Sequence, residues 1–158
     1  MSAVTVEPMI ATAELLRPLV ADQVLLYTKV RNYHWNVAGG HFFALHAAFE
    51  EIYEGLADDA DEVAERIRAL GARAPGLMAS FIKYSHLKEE SEYSFPGHIY
   101  MMKNLVSDFQ LVIKSVREAA SKIQTEFNDD VTAGMLFALM MKYEKTAWML
   151  NAAVEEEN

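Results

Sequence analysis

Two stretches of the chain repeat an apolar residue at a mean step of about 3.5, and this is the feature that most restricts its fold. The first is Phe42, Leu45, Phe49, Ile52, Leu56, Ala60, Val63, Ile67 and Leu70; the second is Ile99, Met102, Val106, Phe109, Ile113, Val116, Ala120, Ile123 and Phe127. That period lays a stripe along one side of a helix and is incompatible with the two-residue alternation of a strand. A further helix is read from about Leu15 to Asn36, with Leu15, Leu16, Leu19, Val24, Tyr27 and Val30 near three- and four-residue spacing. Pro18 either sits in its first turn or kinks a helix that starts earlier. A last helix runs through Val154; it is nearly apolar all round over Met135 to Met141, so burial on more than one side is expected.

The punctuation falls between these segments. Gly39 and Gly40 separate the first two, and Gly71 ends the second. The stretch from Pro75 to Tyr93 reads as a long connection with a short helix around Leu77 to Tyr84. Ser94 and Pro96 open the third long helix, and Asn128, Asp129 and Asp130 supply cap candidates for the fourth. Two helical pairs, each joined by a short loop and linked by one long crossover, predict an all-α, ferritin-like four-helix bundle. Residues 1–158 read as one domain, of which 1–13 are a short N-terminal extension without basic residues.

Composition removes several function classes. With no cysteine, disulfides, thiolate zinc sites and cysteine nucleophiles are excluded, so any metal must be held by His, Asp and Glu. The formal net charge of -9 gives no basic footprint for nucleic acid. MSAVTVEPMI has neither the basic nor the apolar region of a secretory signal, and no apolar run is long enough to span a bilayer; a cytoplasmic protein is expected.

Chemistry concentrates on the second helix. His34 and His46 bracket the Gly39–Gly40 turn, so an antiparallel hairpin brings both to one end. With His46 at zero on a helical wheel, Glu50, Glu54, Asp58, Asp61 and Glu65 fall between about 40° and 120°, opposite the apolar stripe. This face reads either as a solvated side or as a cation site; it holds no Lys or Arg between His46 and Glu65, and unneutralised carboxylates favour a cation. No Glu-x-x-His occurs in the chain, which argues against a di-iron centre inside one bundle. Asp61 and Glu65 lie roughly 22 to 28 Å along the helix from His46, too far to share a metal with it. Two copies of the helix packed antiparallel about a two-fold axis would bring His46 of one opposite Asp61 and Glu65 of the other, with Gly55 near the axis allowing close approach. Such a ligand set suits Fe(II), with zinc or manganese as competitors.

Asn32-Tyr33-His34-Trp35-Asn36-Val37, Gly39, Leu45-His46, Phe49-Glu50, Asp61 and Ala64-Glu65-Arg66 together resemble the Dps mini-ferritins, the DNA-binding proteins from starved cells. Ser94 to Pro96, Asp130-Val131-Thr132 and Trp148-Met149-Leu150 extend the resemblance over essentially the whole chain. It implies a hollow dodecamer with ferroxidase centres at its two-fold interfaces: His34 and His46 from one subunit, Asp61 and Glu65 from its partner, with Glu50 a further ligand that serves the second, weaker iron position. The family position matching Glu50 is usually Asp. The implied activity is oxidation of Fe(II), preferably by hydrogen peroxide, with ferric mineral stored in the cavity as protection against oxidative damage. Trp35 and Tyr33 either pack or quench stray radicals. Glu51, Glu54 and Asp58 are candidates for mineral nucleation, and Glu126, Asp129 and Asp130 for an acidic entry pore at the three-fold axes, where Gly134 stands at a position often acidic in relatives. DNA-binding members use Lys/Arg-rich tails; here the first 16 residues have none and the sequence closes Glu155-Glu156-Glu157-Asn158, so direct DNA binding is not expected.

Overall fold

The computed structural model describes residues 6–155, and the first five residues and Glu156, Glu157 and Asn158 lie outside them. Among the described residues there are five helices and no strand: α1 (Val6–Asn36), α2 (Phe42–Ala69), α3 (Met78–Tyr84), α4 (His98–Phe127) and α5 (Asp130–Glu155). The pairs α1/α2 and α4/α5 pack along their lengths, α1 also packs on α4, and the short α3 in the crossover lies against α1. The apolar stripes of α2 and α4 converge on the bundle axis. Phe49, Leu56, Val63 and Ile67 meet Phe109, Val116, Ala120 and Ile123 in one continuous buried core. Burying a side chain of this size contributes about 1.5–3 kcal/mol.

Three features depart from the sequence reading. Helix α1 starts at Val6, about two turns ahead of Leu15, with Pro18 in its interior. Proline there leaves the Glu14 carbonyl without its helical donor, a cost of ~3 kcal/mol, but Thr12 and Ala13 are buried at 1% and 0% exposure and packing holds the extra turns. Helix α4 begins at His98 rather than at Ser94–Pro96, with Gly97 at the cap position. Helix α5 buries one face, from Thr132 and Leu136 through Tyr143 and Leu150, while Val131, Met141, Trp148 and Met149 are exposed in the protomer. Its all-round apolar character is therefore not absorbed within a single chain.

Polar clamps fix the crossover. The Asp22 carboxylate, fully buried on α1, accepts from Ser85 Oγ at 2.7 Å, from the His86 backbone N–H at 2.6 Å and from His86 Nδ1 at 2.9 Å. Further along, Tyr33 Oη donates to Glu90 at 2.6 Å, and Asn104 Nδ2 donates to both. Lys29 and Asp108 close the α1–α4 contact at 2.5 Å. Burial pushes the Asp108 carboxyl up from its ordinary value, and Lys29 offsets part of that.

Within the protomer Gly55 lies beside a lysine of α5. A Cβ built on it would come within 3.3 Å of Lys142 Nζ, whose ammonium crosses from α5 to donate to the buried Asp59 at 2.6 Å. Within the protomer the missing side chain thus leaves room for the Lys142–Asp59 ion pair.

Candidate metal centre

His34, in the last turn of α1, and His46, in the first turns of α2, face each other across the short turn 37–41. Their rings stack with centroids 3.7 Å apart and an interplanar angle of 20°. His34 Nδ1 donates to the His46 carbonyl at 2.7 Å, and His46 Nδ1 donates to the His34 carbonyl at 2.8 Å. A carbonyl oxygen only accepts, so each Nδ1 must carry a proton. In the neutral rings both Nε2 atoms are then left as lone pairs, which is the tautomer a metal requires. Among the described residues no hydrogen bond occupies either Nε2.

An aromatic group surrounds His34. Tyr53 meets its ring edge-on at 5.2 Å, and Phe42 stacks on His46 at 5.0 Å. The Arg31 guanidinium lies 4.6 Å from the Trp35 ring centroid, 5.3 Å from Tyr27 and 5.6 Å from Tyr53. Trp35 is 63% exposed, whereas Tyr33 is buried. Burial first, then the Glu90 carboxylate, pushes the Tyr33 phenol far above its ordinary value, which fits a packing role.

Glu50 is exposed at the edge of this group and accepts from Tyr53 Oη at 3.4 Å. Partial burial, followed by the charges of Glu50 and Glu54, raises the Tyr53 phenol above its usual value, with Arg31 pulling the other way. Tyr53 went unnoticed in the sequence, although its place seven residues after His46 puts it within about 20° of that residue on the wheel. Glu51, Glu54, Asp58, Asp61 and Glu65 are all exposed, and none forms an ion pair among the described residues. Glu51 faces a cavity of about 400 Å³ between α2 and α5, with Lys142 and Lys145 on its opposite wall.

Helix α2 is continuous from Phe42 to Ala69, so the long separation between His46 and the Asp61–Glu65 pair stands in the folded protein. No three His, Asp or Glu side chains converge on a common point within one protomer, among the described residues. The chain thus offers two half-constellations at opposite ends of one helix.

Of the remaining sequence candidates, Glu126 is exposed, with Lys122 3.9 Å away, and Asp130 is exposed and accepts from Gln124 at 3.2 Å. Asp129 caps α5. It accepts from the Thr132 backbone N–H at 2.9 Å and from Thr132 Oγ1 at 2.5 Å, and Arg66 reaches it from α2 at 3.2 Å. Burial alone would raise this carboxyl, but the Thr132 donors and Arg66 outweigh it and hold the group below its ordinary value. A folded value below the unfolded one of about 3.9 means stability that is present at neutral pH and lost as pH falls through the folded value. Asp129→Ala should therefore unfold in urea with a loss of about 1–2 kcal/mol at pH 7 that shrinks as the pH falls through the folded value of the Asp129 carboxyl. A deficit independent of pH would contradict this account.

The chain matches the family model for the ferritin-like domain over residues 13–158. The DNA protection during starvation protein of Helicobacter pylori is 39% identical over 141 residues, covering 89% of this chain and 96% of that one. DNA protection during starvation protein 2 of Bacillus anthracis is 33% identical over 143 residues, covering 90% of this chain and 96% of the relative. Among solved structures, the Dps protein of Vibrio cholerae, described as a member of a superfamily of ferritin-like diiron-carboxylate proteins, has a TM-score of 0.89 at 32% identity and covers 98% of this chain and 99% of that one. The Dps protein of Bacillus brevis gives 0.87 at 32% identity, with 98% and 99% covered. Fold, family model and relatives agree, and the chain belongs to the Dps mini-ferritins of the ferritin-like family.

Proposed function

We propose that the protein is a ferroxidase and iron store that takes Fe(II) as substrate and hydrogen peroxide as preferred oxidant. One observation carries the reading: two imidazoles hold each other in the metal-ready tautomer at one end of a helix whose other end carries Asp61 and Glu65. Since neither end closes a site within the protomer, the centre forms between two copies. His34, His46 and Glu50 come from one copy, and Asp61 and Glu65 from the other, about a two-fold axis. The assembly is a hollow dodecamer whose cavity stores the ferric product, with Glu51, Glu54 and Asp58 nucleating mineral and Glu126, Asp129 and Asp130 at the entry, Asp129 also capping α5. The exposed apolar residues of α5 are then surface that other copies cover.

The carboxylates place negative charge around the metal and so favour Fe(III) over Fe(II), while the neutral imidazoles add donors without further charge. Two Fe(II) give one electron each to one peroxide; with two protons the products are two Fe(III) and two waters, and no hydroxyl radical is released. Zinc competes for the same nitrogen and oxygen donors.

The test is anaerobic oxidation of stoichiometric Fe(II) by added peroxide, followed by absorbance and a radical trap, on protein of known native mass. Consumption of about two Fe(II) per peroxide with little trapped radical supports the reading. Oxidation no faster than in buffer refutes it. Direct DNA binding is not part of this function, because many copies carrying -9 each repel phosphate. Plasmid mobility should be unchanged near physiological ionic strength, and a salt-sensitive shift would overturn that expectation.

A further inference from the structure

We infer that Tyr53 is a positioning residue of the metal centre, its ring bracing His34 and its hydroxyl aiming Glu50; the inference rests on the function proposed above. Tyr53 contacts ligands from two helices. Its ring meets the His34 ring at an interplanar angle of 77°, and its hydroxyl donates to Glu50 Oε1, three residues earlier on α2. Residues three apart lie side by side on a helix, so the contact needs no distortion.

The ring is itself held. Tyr27 packs against it edge-on at 5.8 Å, the Arg31 guanidinium lies over its face at 5.6 Å, and Arg31 Nη1 donates to Tyr27 Oη at 2.8 Å, tying the brace together. The Tyr53 ring lies edge-on against His34 on one side, and Tyr53 in turn is packed by a cation and a second ring. The hydroxyl occupies one carboxylate oxygen of Glu50 and leaves the other available for a metal. At 3.4 Å the hydrogen bond is long, so it contributes orientation more than energy.

The length of Glu50 matters to this pairing. An aspartate at the same position would draw the carboxylate back by one methylene, about 1.5 Å, and break a contact already at its limit. Tyr53 and Glu50 therefore act as a pair, and their substitutions should not add.

The experiment is anaerobic titration with Co(II), whose visible bands report the ligands around it, on wild type, Tyr53→Phe, Tyr53→Leu, Glu50→Asp, the Tyr53→Phe, Glu50→Asp double variant and His34→Ala, each checked for native mass and thermal unfolding. Tyr53→Phe keeps the ring and removes only the donor. It should weaken the Co(II) equivalent that uses Glu50 about three- to tenfold and alter its bands, with the unfolding temperature unchanged. In the Glu50→Asp background the same change should have no further effect. Tyr53→Leu, which also removes the brace, should weaken every equivalent that depends on His34. The inference is overturned if Tyr53→Phe binds Co(II) with wild-type affinity and spectrum, or if its penalty persists undiminished beside Glu50→Asp. Wild-type binding indifferent to His34→Ala is a separate pattern: it refutes the proposed centre, and the role of Tyr53 falls with it.

Discussion

Replacing His34 and His46 together with alanine is expected to reduce peroxide-driven Fe(II) oxidation to the rate in buffer while leaving the native mass unchanged. The two side chains form a stacked pair whose Nδ1 atoms are both committed to backbone carbonyls, so both Nε2 atoms are left for a metal. Residues that only orient a metal ligand cost about 10–100-fold when lost, so removing two ligands should cost at least about 100-fold. Each ring also donates to the other residue's backbone carbonyl, and cutting both removes two side-chain hydrogen bonds that tie α1 to α2, with His34 only 6% exposed. A loss of about 1–3 kcal/mol in urea unfolding should accompany the change, well short of unfolding the assembly. Stopped-flow absorbance at equal oligomer concentration makes the comparison. Oxidation at the wild-type rate would remove both histidines from the mechanism.

Co-assembly gives the second large effect, because it asks where the other half of the centre comes from. A His34→Ala, His46→Ala chain and an Asp61→Ala, Glu65→Ala chain should each be inactive as pure oligomers. In a mixed dimer one interface site collects all four substitutions and the other collects none. Random mixing makes about half of the dimers mixed, each with one intact site of two, so about a quarter of wild-type activity should return. A site complete within one protomer would give none. Co-expression with two affinity tags, tandem purification and the same oxidation assay decide between these results.

The long helices were legible because their apolar spacing is a direct image of the buried face. Phe49, Leu56, Val63 and Ile67 lie on the stripe that the sequence marks, and all are buried. The first turns of α1 were not legible: Pro18 argues locally for a boundary, and only tertiary burial of Thr12 and Ala13 overrides it. The neighbourhood of Gly55 was not legible for a related reason, since nothing in the sequence reveals that Lys142, 87 residues later, reaches across it to Asp59. Spacing placed His34 and His46 at one end of the hairpin but could not disclose that each ring bonds to the other's backbone. Tyr53 lay on the right face, yet a tyrosine among apolar neighbours gives no signal until His34 and Glu50 are seen touching it.

The mutual hydrogen bonds of the histidine pair bear on the thermodynamics of capture. A histidine free to sample its rotamers must give up that freedom when it takes a metal, at a cost of about 0.5–1.5 kcal/mol for each side chain immobilised. Here the freedom is surrendered when the turn 37–41 closes, because each ring is locked to the other helix's main chain before any ion arrives. The entropic penalty thus belongs to folding rather than to binding, and the affinity of the two nitrogens for a metal is higher by that margin than the donor set alone would give.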